Sequence, residues 1–130
     1  MAKATVYTNE ADVKKQVKKL LDKHKWFWWM PPANGFGRTG ISDFNALRGG
    51  VFLAVETKFG KNKPTPMQIG FIDSVKSEDG MAFVVNETTI EHFAAWLDAF
   101  DKAVTAQAEE RDVDPADGAT MIDAMRAMAG

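Results

Sequence analysis

The sequence predicts an α/β layered domain. Three observations carry this: apolar residues recur at helical spacing in three segments, four short strand-like segments separate them, and the order is helix, three strands, helix, strand, helix. The chain has 130 residues, of which 45% are apolar and 26% charged. That is enough for one ordinary domain with a proper core and too little for two. It contains no cysteine, which excludes a disulfide framework and Cys-based zinc or iron–sulfur sites. His24 and His92 are too far apart to read as a metal motif.

Each element has its own signal. Asn9 is a candidate cap with Asp12 three residues on, and Val13, Val17, Leu20, Leu21 and His24 follow at helical spacing. Trp26 to Met30 reads as an aromatic strand stopped by Pro31-Pro32, with alternation burying one aromatic pair and exposing the other. Residues 33–40 form a glycine-rich loop. Ser42 to Arg48 and Val51 to Lys58 read as strands joined at Gly49-Gly50, a favoured two-residue turn. Thr65-Pro66-Met67-Gln68 spells a helix start, with Met67, Phe71, Ile72 and Val75 as its inner face and Gly80 at its end. Met81 to Val85 is a buried-type strand. Thr88 and Glu91 read as a capping box for a third helix, with Ile90, Phe93, Ala94, Leu97, Phe100 and Val104 facing inward. Residues 1–107 are then one domain, and residues 108–130 an acidic linker and a short terminal helix carrying Met121, Ile122, Met125 and Met128.

The longest uninterrupted apolar runs are short against the ~20 residues of a membrane span. The opening Met-Ala-Lys-Ala-Thr lacks the apolar centre of a signal peptide. A soluble, cytoplasmic protein is expected. The formal charge of −2 argues against nucleic acid until it is divided. Residues 1–76 hold 13 of the 16 basic residues and 6 of the 18 acidic ones, a net of +7; the remainder nets −9. A basic body can meet a polyanion, while the acidic part solubilises, pairs or shields.

The hairpin gathers charge. With Gly49 and Gly50 in the turn, counting back sets Asp43 opposite Glu56, on one face with Cβ atoms ~4.5–5.5 Å apart. Lys58 shares that face. Two carboxylates so placed repel unless something compensates, and hard oxygen ligands favour Mg²⁺ or Mn²⁺. A salt-bridge cluster at a strand end is the plainer explanation of the same spacing.

Gly40-Ile41-Ser42-Asp43, Glu56-Thr57-Lys58 and Gln68 on the next helix resemble, in this order, the VRR-NUC branch of the PD-(D/E)xK nuclease superfamily. The likeness covers roughly residues 9 to 100, and Glu10 falls where the family has a glutamate on its first helix. It implies a restriction-endonuclease-like αβββαβα core with a mixed central sheet flanked by helices. It further implies a Mg²⁺-dependent deoxyribonuclease, with Mn²⁺ able to substitute. Asp43, Glu56 and the Thr57 carbonyl would hold the ion, Lys58 would handle the attacking water, and Glu10 and Gln68 would assist. Freestanding members of this branch look like homodimers acting on branched DNA, so a Holliday-junction-resolvase-like endonuclease is implied, and a phage origin fits the compactness. Ser42 stands where many relatives have proline.

Basic residues fit the same expectation: Arg38 in the glycine loop, Lys61 and Lys63 after the second hairpin strand, and Lys14 and Lys18 on the first helix are candidates for phosphate contacts. A solvated loop explains Lys61 and Lys63 equally simply, and a wet helix face explains Lys14 and Lys18 more simply. Gln68 has an innocent role too, completing the capping box with Thr65. Gly35-Phe36-Gly37-Arg38-Thr39-Gly40 matches a dinucleotide fingerprint, but that motif must open a helix, and a strand follows here. Trp26, Phe27, Trp28 and Trp29 suit core packing or a subunit interface before base stacking. Two other classes remain: a non-catalytic DNA-binding or replication/recombination accessory protein on the same fold, and an interaction domain recruiting a partner through its acidic part.

Overall fold

The computed structural model describes residues 5–32, 40–111, 125, 126, 128 and 129. Arg38 and most of the glycine-rich loop lie outside the described residues, as do Met121 and Ile122. The chain divides into two units, Met1–Asp98 and Ala99–Gly130.

The first unit is an α/β structure with a four-stranded mixed sheet. Its elements are α1 (Glu10–Lys23), β1 (Phe27–Trp29), β2 (Phe44–Arg48), β3 (Val51–Thr57), α2 (Pro66–Ser77), β4 (Met81–Val85) and the opening turns of α3 (Ile90–Arg111). The sheet order is β1-β2-β3-β4; β1–β2 and β2–β3 are antiparallel and β3–β4 parallel. The hairpin register pairs Arg48 with Val51 and Phe44 with Val55, as expected. Gly49 and Gly50 have φ of 58° and 80°, which a type I′ turn requires at both positions.

Helix α1 starts where the sequence places it: the Asn9 side chain accepts the Asp12 N–H at 2.9 Å. Its stripe Val13, Val17, Leu20 and Leu21 is buried against the sheet. The helix ends in a Schellman arrangement, with Lys25 N–H donating to the Asp22 carbonyl and Trp26 N–H to that of Leu21. Lys25 takes the left-handed position usually given to glycine, at φ 63°. The Arg48 guanidinium donates to the His24 carbonyl and ties the end of β2 to this terminus.

The β3–α2–β4 crossover lays α2 on one sheet face, beside Phe52; α1 and the opening turns of α3 cover the other. There Phe83 packs on Phe93 and Trp96, and Trp26 on Trp96, with ring centroids 4.8–6.2 Å apart. Alternation along β1 follows the expected pattern, with Trp26 buried, Trp28 half-buried, and Phe27 and Trp29 exposed.

Several boundaries differ from the sequence reading. β1 is only three residues long. β2 begins at Phe44, because Asp43 uses its N–H and carboxylate elsewhere. Met67, expected inside, is 58% exposed, and Ile72 alone of the α2 face is buried, since α2 spans only two strands. Helix α3 is started by Asn86 rather than Thr88: the Asn86 Oδ1 accepts the N–H groups of Thr88 and Thr89, and Thr89 Oγ1 accepts that of Asn86. An Asx turn forms within one tight loop and displaces the expected box. The inward residues Ile90, Phe93 and Leu97 are buried as expected.

In the second unit α3 continues to Arg111, so the first residues of the expected linker are helical. Met125, Arg126, Met128 and Ala129 are helical, with both methionines exposed. Among the described residues no helix is long and apolar enough to cross a membrane.

Candidate metal centre

The site forms where β3 outruns β2. Glu56 and Lys58 alternate onto the α2 side of the sheet, and Thr57 points the other way. Because β2 has ended, the Thr57 N–H has no ladder partner on that edge, and Asp43 takes its place. The Asp43 Oδ2 accepts from the Thr57 N–H at 3.0 Å and from Thr57 Oγ1 at 2.6 Å. A strand residue directs its N–H and C=O to the same edge, so the Thr57 carbonyl is aimed past the end of β2, beside Asp43.

This corrects the expected face-sharing pair. Asp43 is not a ladder residue opposite Glu56 with its side chain on the same face. Its N–H donates to Glu56 Oε2 at 3.3 Å, and its carboxylate sits at the strand edge. The two acids still converge, through a strand-end cap instead of a cross-strand pair.

Glu56 is only 2% exposed, a costly place for a carboxylate. Its Oε1 accepts from Gln68 Nε2 at 2.8 Å and lies 3.5 Å from Lys58 Nζ. Burial pushes the Glu56 carboxyl up to about 7, and the Asp43 charge adds to the push; Lys58 and the Asp43 N–H oppose it. Gln68 completes the expected capping box and also reaches Glu56. Its side-chain carbonyl completes the capping box with Thr65, and its amide donates to Glu56. One residue thus locks the start of α2 to the buried acid.

The other sheet side contributes Lys14 and Glu10. Lys14 Nζ stands 3.5 Å from Glu10 Oε2 and 3.8 Å from Asp43 Oδ1. Glu10 therefore reaches the site through an ammonium group. Lys14, expected at a DNA phosphate, is part of this acid–base cluster, drawn in by two carboxylates. Lys18 lies one turn further along the same helix and is exposed, and Lys61 and Lys63 are exposed after β3. The position of Arg38 is not described.

Two members escaped the sequence reading: Lys14 as a bridge and the Thr57 hydroxyl as an anchor for Asp43. The i,i+4 spacing of Glu10 and Lys14 was a usable signal for the first. Nothing signalled the second, because alternation assigns that hydroxyl to the opposite face.

The donor chemistry fits a hard divalent cation. Two carboxylates and a backbone carbonyl are all oxygen donors, the set that Mg²⁺ and Mn²⁺ accept. A cation there would also relieve the burial and repulsion that now hold the Glu56 proton. Gly40 buttresses the approach: its φ is +82°, and a Cβ there would lie 2.6 Å from the Met67 carbonyl oxygen. The chain before Asp43 is thereby pressed onto the first turn of α2.

No protein-family model matches the chain, and no curated protein matches it.

Proposed function

We propose that the protein is a Mg²⁺- or Mn²⁺-dependent deoxyribonuclease on a restriction-endonuclease-like fold, similar to the VRR-NUC branch, that hydrolyses phosphodiester bonds. The observation that carries this reading is the buried Glu56 carboxyl, held next to Asp43, Lys58 and Gln68 at the open end of a strand pair. A structural salt bridge needs one acid and one base. Here two acids crowd together, and the fold spends a helix cap and a threonine to keep them so. The helix order and the mixed sheet support the same reading.

Asp43, Glu56 and the Thr57 carbonyl would hold the ion. When bound, it would polarise a phosphate oxygen and make an attached water more acidic. Thr57 fixes the Asp43 carboxylate from two sides, and Gln68 fixes Glu56. Lys58, with its side chain mostly shielded, presents a positive charge beside Glu56, where it would hold the attacking water and balance charge at the phosphate. Lys14 keeps Glu10 and Asp43 together. Lys18, Lys61 and Lys63 would engage the flanking backbone. A bare domain of this size has few side chains for reading bases, so recognition by shape, branched DNA included, and action as a homodimer belong to this proposal.

Incubating the protein with branched, single-stranded and plasmid DNA, with Mg²⁺, Mn²⁺ or chelator, tests it. Cleavage should require the ion and disappear in Glu56→Ala and Lys58→Ala. Cleavage that persists in those variants, or its absence with every ion and substrate, would refute the reading.

A further inference from the structure

Helix α2 covers its sheet face over β3 and β4 only; on the part built by β1 and β2, Phe27, Trp29 and Leu47 are exposed and Asn45 is buried. Pairing places Trp29 opposite Asn45 and Asn45 opposite Ala54, and Glu56 lies two residues beyond Ala54 on the same face. Phe27, Leu47 and Phe52 form the next row. Phe27 is 68% exposed and Trp29 40%. Their ring centroids are 5.5 Å apart at 43°, and Trp29 meets Phe52 edge-on at 6.3 Å. Past Phe52 the apolar lining continues into a groove of about 330 Å³ bounded by Phe71, Val75 and Gly80. Strand spacing and rise put the Trp29 Cα about 12 Å from that of Glu56, within reach of neighbouring nucleotides of one strand.

We infer that Phe27 and Trp29 form a stacking ledge for unpaired bases of a nucleic-acid strand that runs on to the Asp43–Glu56 site. This rests on the nuclease reading and narrows its substrate to DNA with a single-stranded segment beside the scissile phosphate. Three features favour that occupant over a second copy of the chain. The ledge shares its face with Glu56. Between them stands Asn45, 3% exposed, whose buried Oδ1 has no hydrogen-bond partner among the described residues and so keeps an unspent acceptor on this face. Finally, residues 1–76 carry a net charge of +7, and Lys25 precedes the ledge by two residues. A polyanion is attracted by that charge. Stacking tolerates any base, because every base has a π-face.

The test is binding in chelator, where cleavage cannot intrude, of an oligothymidine of about 16 nucleotides and of a blunt duplex of equal length. Phe27→Ala and Trp29→Ala should each weaken single-strand binding about tenfold and leave duplex binding unchanged, and Trp29→Phe should restore most of the loss. Phe27 is exposed enough for its variant to fold, which circular dichroism checks. Unchanged single-strand affinity, or equal losses on both probes, would overturn the inference. So would sedimentation showing that the variants split a dimer, which would make this face a subunit interface. Wild-type cleavage lost in Glu56→Ala, with binding unmoved in Phe27→Ala, would sink the ledge and spare the nuclease. Weakened binding in Phe27→Ala, with no cleavage by the wild type, would do the reverse.

Discussion

Replacing Glu56 with glutamine removes a charge that the fold penalises, and the effect must depend on pH. The folded carboxyl titrates at about 7 against an ordinary 4.5. Between those values the native state keeps a proton that the unfolded chain has released, so stability falls as pH rises. The contribution is fully present below pH 4.5 and is lost as pH rises through 7. A shift of this size corresponds to about 3 kcal/mol at 1.36 kcal/mol per unit, a large share of a typical 5–15 kcal/mol. Glutamine has one acceptor where Glu56 serves both Gln68 and the Asp43 N–H, so Glu56→Gln carries a pH-independent cost of about 1 kcal/mol. The slope, not the offset, is the prediction. Urea unfolding in chelator, stepped from pH 4.5 to 8, should show the variant gaining about 3 kcal/mol relative to the wild type across that range. Titrating groups away from the site cancel in the difference. Parallel stability profiles would refute the argument that burial and Asp43 hold the Glu56 proton.

Thr57→Val keeps the backbone bond to Asp43 and deletes the hydroxyl one; urea denaturation should show a loss of about 2 kcal/mol, and Mn²⁺ affinity should weaken as Asp43 loses its orientation. Gln68→Ala and Thr65→Ala both break the capping box and should cost about 1 kcal/mol each. Only Gln68→Ala removes the donor to Glu56, so DNA cleavage should fall in that variant alone. Lys61→Ala and Lys63→Ala should each flatten the dependence of log Kd for single-stranded DNA on log salt concentration by about 0.7, as loss of one phosphate contact does.

The hairpin was legible because two glycines in a two-residue turn leave one register, and that register brings Asp43 to Glu56. The caps at Asn9 and Thr65 were legible for a similar reason, since a short polar side chain three residues before its target has few other uses. What escaped depends on where strands stop. Alternation treats Asp43 as a ladder residue, but β2 begins one residue later, at Phe44, and the freed carboxylate turns to Thr57. Lys14 looked like one of several solvent-facing lysines; only the placement of α1 against the sheet puts its ammonium between Glu10 and Asp43. Periodicity alone points Met67 inward and cannot report that α2 overlies just two strands. The start of α3 went to Asn86 because a local Asx turn competes directly with a capping box.

The central claim is that Asp43, Glu56 and the Thr57 carbonyl make a divalent-cation site at the free edge of β3. Titrating Mn²⁺ into the protein at pH 8 by calorimetry, with wild type, Asp43→Asn and Glu56→Gln, tests it most directly. The account predicts one site per chain that both substitutions weaken at least tenfold and that Lys61→Ala leaves intact. Equal Mn²⁺ binding in the wild type and both acid variants would contradict it.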